Sequence, residues 1–171
     1  MNEEWVGIDE IASEKNLRAY AAELVGTMLF VAIGTGAVIV SGGDLVAIAL
    51  AHGIAIAAMV YLTANISGGH INPAVTLGMM VTRNIKIAPG IMYIVAQMTG
   101  AVLATALLYV ALNNSVGNIT NFGAHGINTG AVAGDGGALL IEIILTSVLV
   151  MVIFAIKENT TATAEPLQNQ G

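Results

Sequence analysis

The sequence predicts an all-α membrane protein with four spanning helices and one re-entrant half-helix. Three observations predict it: a composition too poor in charge for water, four apolar runs of membrane length, and the placement of the few basic residues. Of 171 residues, 56% are hydrophobic and 9% charged, whereas a soluble domain carries about 25% charged residues. The 20 glycines do not indicate disorder, because Gly is frequent in membrane helices. Cys is absent from the sequence, which excludes a disulfide framework, a thiolate metal site and a Cys nucleophile.

A hydrocarbon core needs about 20 apolar residues in a helix. Residues 19–40, 45–64, 88–112 and 137–156 each supply such a run. Pro89 falls in the first turn of the third run, where its missing N–H costs nothing. Before the first run, Glu3, Glu4, Asp9, Glu10 and Glu14 make an acidic arm, the reverse of a cleaved signal's basic start. Trp5 and Ile8 would suit a short interfacial helix over 5–14; a mobile arm is the equal alternative. Small residues, Gly26, Gly34, Gly36, Gly53 and Gly100, let spans approach closely.

Between the second and third runs lies "NISGGHINPAV", residues 65–75. The five Lys and Arg residues are Lys15, Arg18, Arg83, Lys86 and Lys157. If 65–87 enters and leaves the membrane on one side, all five fall on one face, and the positive-inside rule makes that face cytoplasmic, with both termini. A spanning 65–87 would split them. Asn72 is a favoured helix cap and Pro73 a favoured first residue, so "PAVTLGMMVT" forms a half-helix of roughly 15 Å, about half the hydrocarbon core. Gly68 and Gly69 permit the tight turn before it. Irregular backbone at that depth must line a cavity or be wrapped by helices. The half-helix N-terminus carries a partial positive charge that disfavours cations, and the Asn72 amide can donate to a solute oxygen. A pore for a neutral solute is the sharper reading, and a plain structural turn the other.

Glu23 and Glu142 lie inside spans, where acids are costly and are functional or paired. "AELVGTMLFV" from 22 and "IEIILTSVLV" from 141 share Glu-x-x-x-Thr, on spans of opposite direction, the pattern of an inverted repeat. By spacing, Glu23 pairs with Thr27 and Glu142 with Thr146. Each Glu is expected to accept hydrogen bonds from a re-entrant backbone, with a proton relay as the alternative. The repeat implies a second Asn-Pro half-helix and two further spans that these 171 residues do not contain. The outer connection 113–136 holds the sequons Asn113–Ser115 and Asn118–Thr120, which read more simply as loop asparagines.

"SGGHINPAVTLG" resembles the first signature loop of the aquaporin, or major intrinsic protein, family, with Asn72, Pro73 and Ala74 as its NPA box. "AELVGTMLFV", "YIVAQMTGA" and "EIILTSVLV" resemble its first, third and fourth spans, so the likeness covers roughly 17–167. The resemblance implies an aquaporin-like right-handed helix bundle, truncated, and a passive channel for water and small neutral solutes such as ammonia, urea or glycerol. Asn72 would be one of two donating asparagines, with the carbonyls of Gly68, Gly69, His70 and Ile71 as a hydrogen-bonding ladder. His70 would also brace the loop. Glu23, Glu142 and Gln97 would support the re-entrant segment, Gln97 matching the family's third-span glutamine. His52, 20 positions before Asn72, matches the second-span filter position and is similar to the tonoplast type; alternatively it satisfies a neighbour in the bundle. His125 receives no role.

The expected organisation is an acidic cytoplasmic arm over 1–18, an incomplete channel domain over 19–156 and a polar tail over 157–171. The expected partners are the lipid bilayer, water and small neutral solutes, with a homo-tetramer or association with a full-length homologue. No nucleic acid, metal or cofactor is expected, and no nucleophile–base set suggests an enzyme. The plasma membrane is the expected location and the vacuolar membrane the alternative. The other function reading is a non-conducting fragment that packs with full-length subunits; a broken-helix transporter coupled through Glu23 or Glu142 is a third.

Overall fold

The computed structural model describes residues 3–112, 123–124, 126–128 and 130–164; both sequons and His125 lie outside them. The chain divides into two units, Met1–Ala124 and His125–Gly171. The first holds α1 (Glu3–Val6), a 3-10 turn (Ile8–Glu10), α2 (Glu14–Val40), α3 (Leu45–Ser67), α4 (Pro73–Val81) and α5 (Ile87–Leu112), and the second holds α6 (Gly134–Ala164). Four of these, α2, α3, α5 and the Gly134–Glu158 stretch of α6, are long and apolar enough to cross a membrane. The protein is thus an all-helical, multi-pass membrane protein among its described residues.

Local chemistry sets the helix ends. Ser13 caps α2 by accepting from the Asn16 N–H at 3.3 Å, so the helix starts well before the apolar run at 19. The Asp44 carboxylate accepts from Val46 and Ala47 N–H and starts α3, satisfying two of the free donors of a helix end. Gly68, left-handed at φ 90°, ends it. Asn72 accepts from the Ala74 N–H at 2.7 Å and starts the nine-residue half-helix α4. α6 continues beyond the apolar run through the polar residues 157–164, since the first residue that opposes a helix there is Pro166.

In the first unit α2 packs between α3 and α5, and α4 lies on α5. The outward faces are apolar, with Val25, Leu29 and Ile33 on α2 and Ile91, Val95 and Val102 on α5 exposed. The interior carries the polar groups, Glu23, Thr27, Ser67, His70, Thr76 and Gln97. That inversion is what a lipid solvent requires, because only protein can satisfy polar groups there. A Cβ on Gly100 would run into the Leu24 carbonyl oxygen, so α2 and α5 touch backbone to backbone. Beside that contact Tyr20 and Tyr93 stack edge to face, centroids 5.8 Å apart.

The N-terminal arm is folded onto the connection that follows α4. Lys86 Nζ lies 2.7 Å from Glu10 Oε1, and the Arg83 guanidinium sits over the Trp5 ring at 5.8 Å. Gly7 is left-handed at φ 67°, and a Cβ there would meet the Lys86 stem at 2.7 Å. The hydrogen bond to Glu10 raises the Lys86 ammonium above its ordinary value. A raised pKa gives stabilisation that is complete below the ordinary lysine value and is lost as pH climbs through the raised one. Lys86→Met is therefore expected to release the arm at neutral pH, and strongly alkaline pH to do the same in the unaltered chain. Limited proteolysis within residues 3–13 checks this; equal cleavage of both chains at neutral pH would refute it.

Candidate functional site

The site is built on the segment between α3 and α4. Gly68, Gly69 and Ile71 are all left-handed, at φ 90°, 66° and 51°. Glycine takes that conformation freely, but a β-branched residue does not, so Ile71 stores strain that its surroundings must hold. Glu23, fully buried on α2, holds it. Its Oε1 accepts from Ser67 Oγ at 2.6 Å and from the His70 N–H at 3.0 Å. Its Oε2 accepts from the Ile71 N–H at 2.6 Å and from Gln97 Nε2 at 2.7 Å. Four donors fill the capacity of one carboxylate, and successive backbone N–H groups in a left-handed turn form a cradle suited to an anion. The anion is supplied by the protein itself.

The Ile71 side chain completes the socket. A Cβ on Gly26 would stand 2.7 Å from Ile71 Cδ1, so the missing side chain one turn from Glu23 makes the room. Thr27 donates to the Ile71 carbonyl at 3.5 Å and makes no hydrogen bond to Glu23 among the described residues. The spacing-based pairing of Glu23 with Thr27 is corrected accordingly. The two share a helix face, but the buried loop offers the carboxylate better donors, leaving the hydroxyl for the carbonyl beyond.

A second set of bonds comes from α4 and α5. The Thr76 hydroxyl donates to the Asn72 carbonyl at 3.2 Å and accepts from Gln97 Nε2 at 3.0 Å. His70 Nδ1 lies 3.1 Å from the same oxygen. With the hydroxyl hydrogen and one lone pair engaged, Thr76 offers His70 an acceptor, which places a proton on Nδ1. Tyr93 donates to the Ser67 carbonyl at 2.9 Å, and its ring stands 5.0 Å from His70. Asn72 Oδ1 is engaged by the cap, which leaves the amide NH2 as the end with donors to offer. Pro73 and Ala74 follow as the first half-buried residues of α4.

The structure therefore brings together Glu23, Gln97, Gly68, Gly69, His70, Ile71, Asn72, Pro73 and Ala74. Ser67, Thr76 and Tyr93 join them without having been singled out. A count of the partners a buried carboxylate and a buried loop demand, against the few polar residues flanking that loop, points to them. His52 stands apart, 15 residues before Ser67 on α3, about 22 Å at the helical rise. Its Nδ1 is 2.9 Å from the Ile48 carbonyl oxygen and its ring is edge-on to Phe30, centroids 6.1 Å apart. Glu142 lies on α6 in the other unit, exposed. Among the described residues no group of three or more His, Cys, Asp or Glu could hold a metal ion.

Membrane-spanning helices with a broken helix seated on a buried carboxylate define a multi-pass membrane protein of re-entrant type. The family model "Major intrinsic protein" matches residues 10–167, and the chain belongs to that family. It is 42% identical over 145 residues to aquaporin-4 of Mus musculus, which covers 81% of this chain and 44% of the relative. It is 37% identical over 149 residues to the glycerol uptake facilitator protein-like 6 of Lactiplantibacillus plantarum, covering 87% of this chain and 68% of the relative. Aquaporin TIP2-3 of Arabidopsis thaliana is 37% identical over 153 residues, covering 84% and 58%. The chain thus spans less than half the length of the aquaporin-4 relatives it matches.

Proposed function

We propose that the protein forms a passive channel for water and small neutral solutes, with Asn72 as the hydrogen-bond donor at mid-membrane. The observation that carries this reading is the Asn72-capped half-helix, held in place by the saturated Glu23 carboxylate. A solute there meets amide donors and the positive end of α4, an arrangement that favours neutral hydrogen-bonding molecules and disfavours cations. The carbonyls of Gly68, Gly69, His70 and Ile71 form the polar side of the path, and His52 its narrow filter. Glu23 and Gln97 act as supports for the loop, and Glu142 has the matching role in the second repeat. Both termini are cytoplasmic by the positive-inside rule. The arm over 1–18, the channel domain over 19–156 and the tail over 157–171 form a homo-tetramer, or assemble with longer subunits of the same family, at the plasma membrane or the vacuolar membrane. The name of one relative, which specifies glycerol uptake, supports glycerol as a solute to test beside ammonia and urea.

Reconstitution of the full chain in liposomes tests the reading. Water efflux and urea, ammonia and glycerol uptake are expected above those of empty liposomes. Asn72→Ala is expected to lower them about tenfold, the scale of one lost transition-state donor worth somewhat over 1 kcal/mol, and to cost about 1 kcal/mol as a lost helix cap. No flux from correctly inserted chain would overturn the self-sufficient channel. A second reading is a non-conducting partner of full-length subunits. Co-purification with such a subunit would support that one, and a conducting homo-oligomer would refute it.

A further inference from the structure

The wall between α2 and α3 has one position where a side chain is missing and an imidazole fills the space. A Cβ built on Gly34 would lie 2.6 Å from both Cδ2 and Nε2 of His52, far inside van der Waals contact. The opposite edge of the ring is tethered, since Nδ1 is 2.9 Å from the Ile48 carbonyl oxygen. A carbonyl only accepts, so Nδ1 carries the hydrogen, and in the neutral ring Nε2 is the lone-pair nitrogen. Phe30, one turn before Gly34, closes the ring in from a third side. Gly34 is itself buried while Gly53, next to His52 in sequence, has nothing within 4 Å of its would-be Cβ. The imidazole thus fills the space at Gly34 as the Ile71 side chain fills that at Gly26, while Gly53 leaves open space.

We infer that Gly34 is a specificity-determining residue: its missing Cβ seats the His52 ring against α2 as the Nδ1–H tautomer and so fixes the width and hydrogen-bonding character of the passage at His52. The inference rests on the proposed reading that His52 lines the solute path. With a methyl at position 34 the ring must swing away from α2. It then loses the Ile48 carbonyl and occupies space that a solute would use. A bulkier neutral solute such as urea suffers more from that loss of width than water does.

Two measurements on the full chain in lipid bilayers test this. Histidine 15N NMR reads the ring directly, with an N–H nitrogen at Nδ1 and an imine-type nitrogen at Nε2 of His52 expected in the unaltered chain. Gly34→Ala should shift the His52 signals and leave those of His70 in place, while Gly53→Ala should move neither. In liposomes Gly34→Ala should lower the ratio of urea to water permeability about tenfold, the scale on which one methyl group discriminates in a tight site. In a His52→Ala background the same substitution should change nothing, because there is no ring left to displace. Unmoved His52 signals, an unchanged permeability ratio, or an equal loss in the His52→Ala background would each overturn the inference. Absence of all flux would overturn the channel reading and the selectivity claim with it; the NMR shift still decides where the ring sits.

Discussion

Glu23→Ala is expected to unseat the loop between α3 and α4 and to destabilise the first unit by several kcal/mol. The substitution leaves four buried donors without their acceptor, those of Ser67, His70, Ile71 and Gln97. Each orphaned donor costs about 1–3 kcal/mol, and lipid offers no replacement. Glu23→Gln should cost less, about 1–3 kcal/mol, for a reason visible in the network. The Oε1 of Gln97 is buried without a partner among the described residues. A turn of the Gln97 amide would bring that oxygen to the new NH2 group at position 23, at the cost of the Gln97 bond to Thr76 and of the acceptor of the Ile71 N–H. Hydrogen exchange at the His70 and Ile71 amides checks both variants. Fast exchange at both amides in the alanine chain, and chiefly at Ile71 in the glutamine chain, is the expected result. Protected amides in Glu23→Ala would show that the strained turn holds itself.

Gly100→Val is expected to have the other large effect. The obstacle at Gly100 is the backbone of α2, the Leu24 carbonyl and the Met28 nitrogen, and backbone cannot rotate aside. The two helices must separate, and overpacking of this kind costs about 1–3 kcal/mol or more. Gln97 lies three residues earlier on the same helix, so separation also draws its amide away from Glu23 and Thr76. Thermal unfolding in detergent should therefore fall for Gly100→Val well below the unaltered chain, with the His70 and Ile71 amides exposed as in Glu23→Ala. Unchanged thermal stability would refute the backbone contact between α2 and α5.

Much of this was legible in the residues. The four spans follow from length and hydropathy, and the half-helix from Asn72-Pro73 between two apolar runs of membrane length. The irregular segment had to line a cavity or be wrapped by helices, and a glutamate inside a span had to be functional or paired; the structure meets both through the bonds from the loop backbone to Glu23. Exact partners were not legible. Glu23 and Thr27 share a helical face, which spacing shows, but which donors reach a carboxylate depends on where the chain returns 44 to 74 residues later. Ser67 and Thr76 escaped notice because a hydroxyl in an apolar run reads equally as a bond to its own helix, as Thr63 and Thr99 in fact make, and Tyr93 because its phenol bonds a carbonyl 26 residues earlier in the chain. The arm was open between helix and mobile tail because Glu10 finds Lys86 only once α5 is in place.

The order in which the pieces of the Glu23 socket leave the ribosome has a consequence for assembly. Glu23, Gly26 and Thr27 emerge first, the strained turn next, and Tyr93 and Gln97 last. When residues 68–71 have been made, α2 can already offer its carboxylate and the gap at Gly26, but the groups that lock Thr76 and the Ser67 carbonyl are still to come. The half-helix therefore has to wait, partly seated, for the third span. The last contacts that fix it, from Tyr93 and Gln97, belong to a helix synthesised after it.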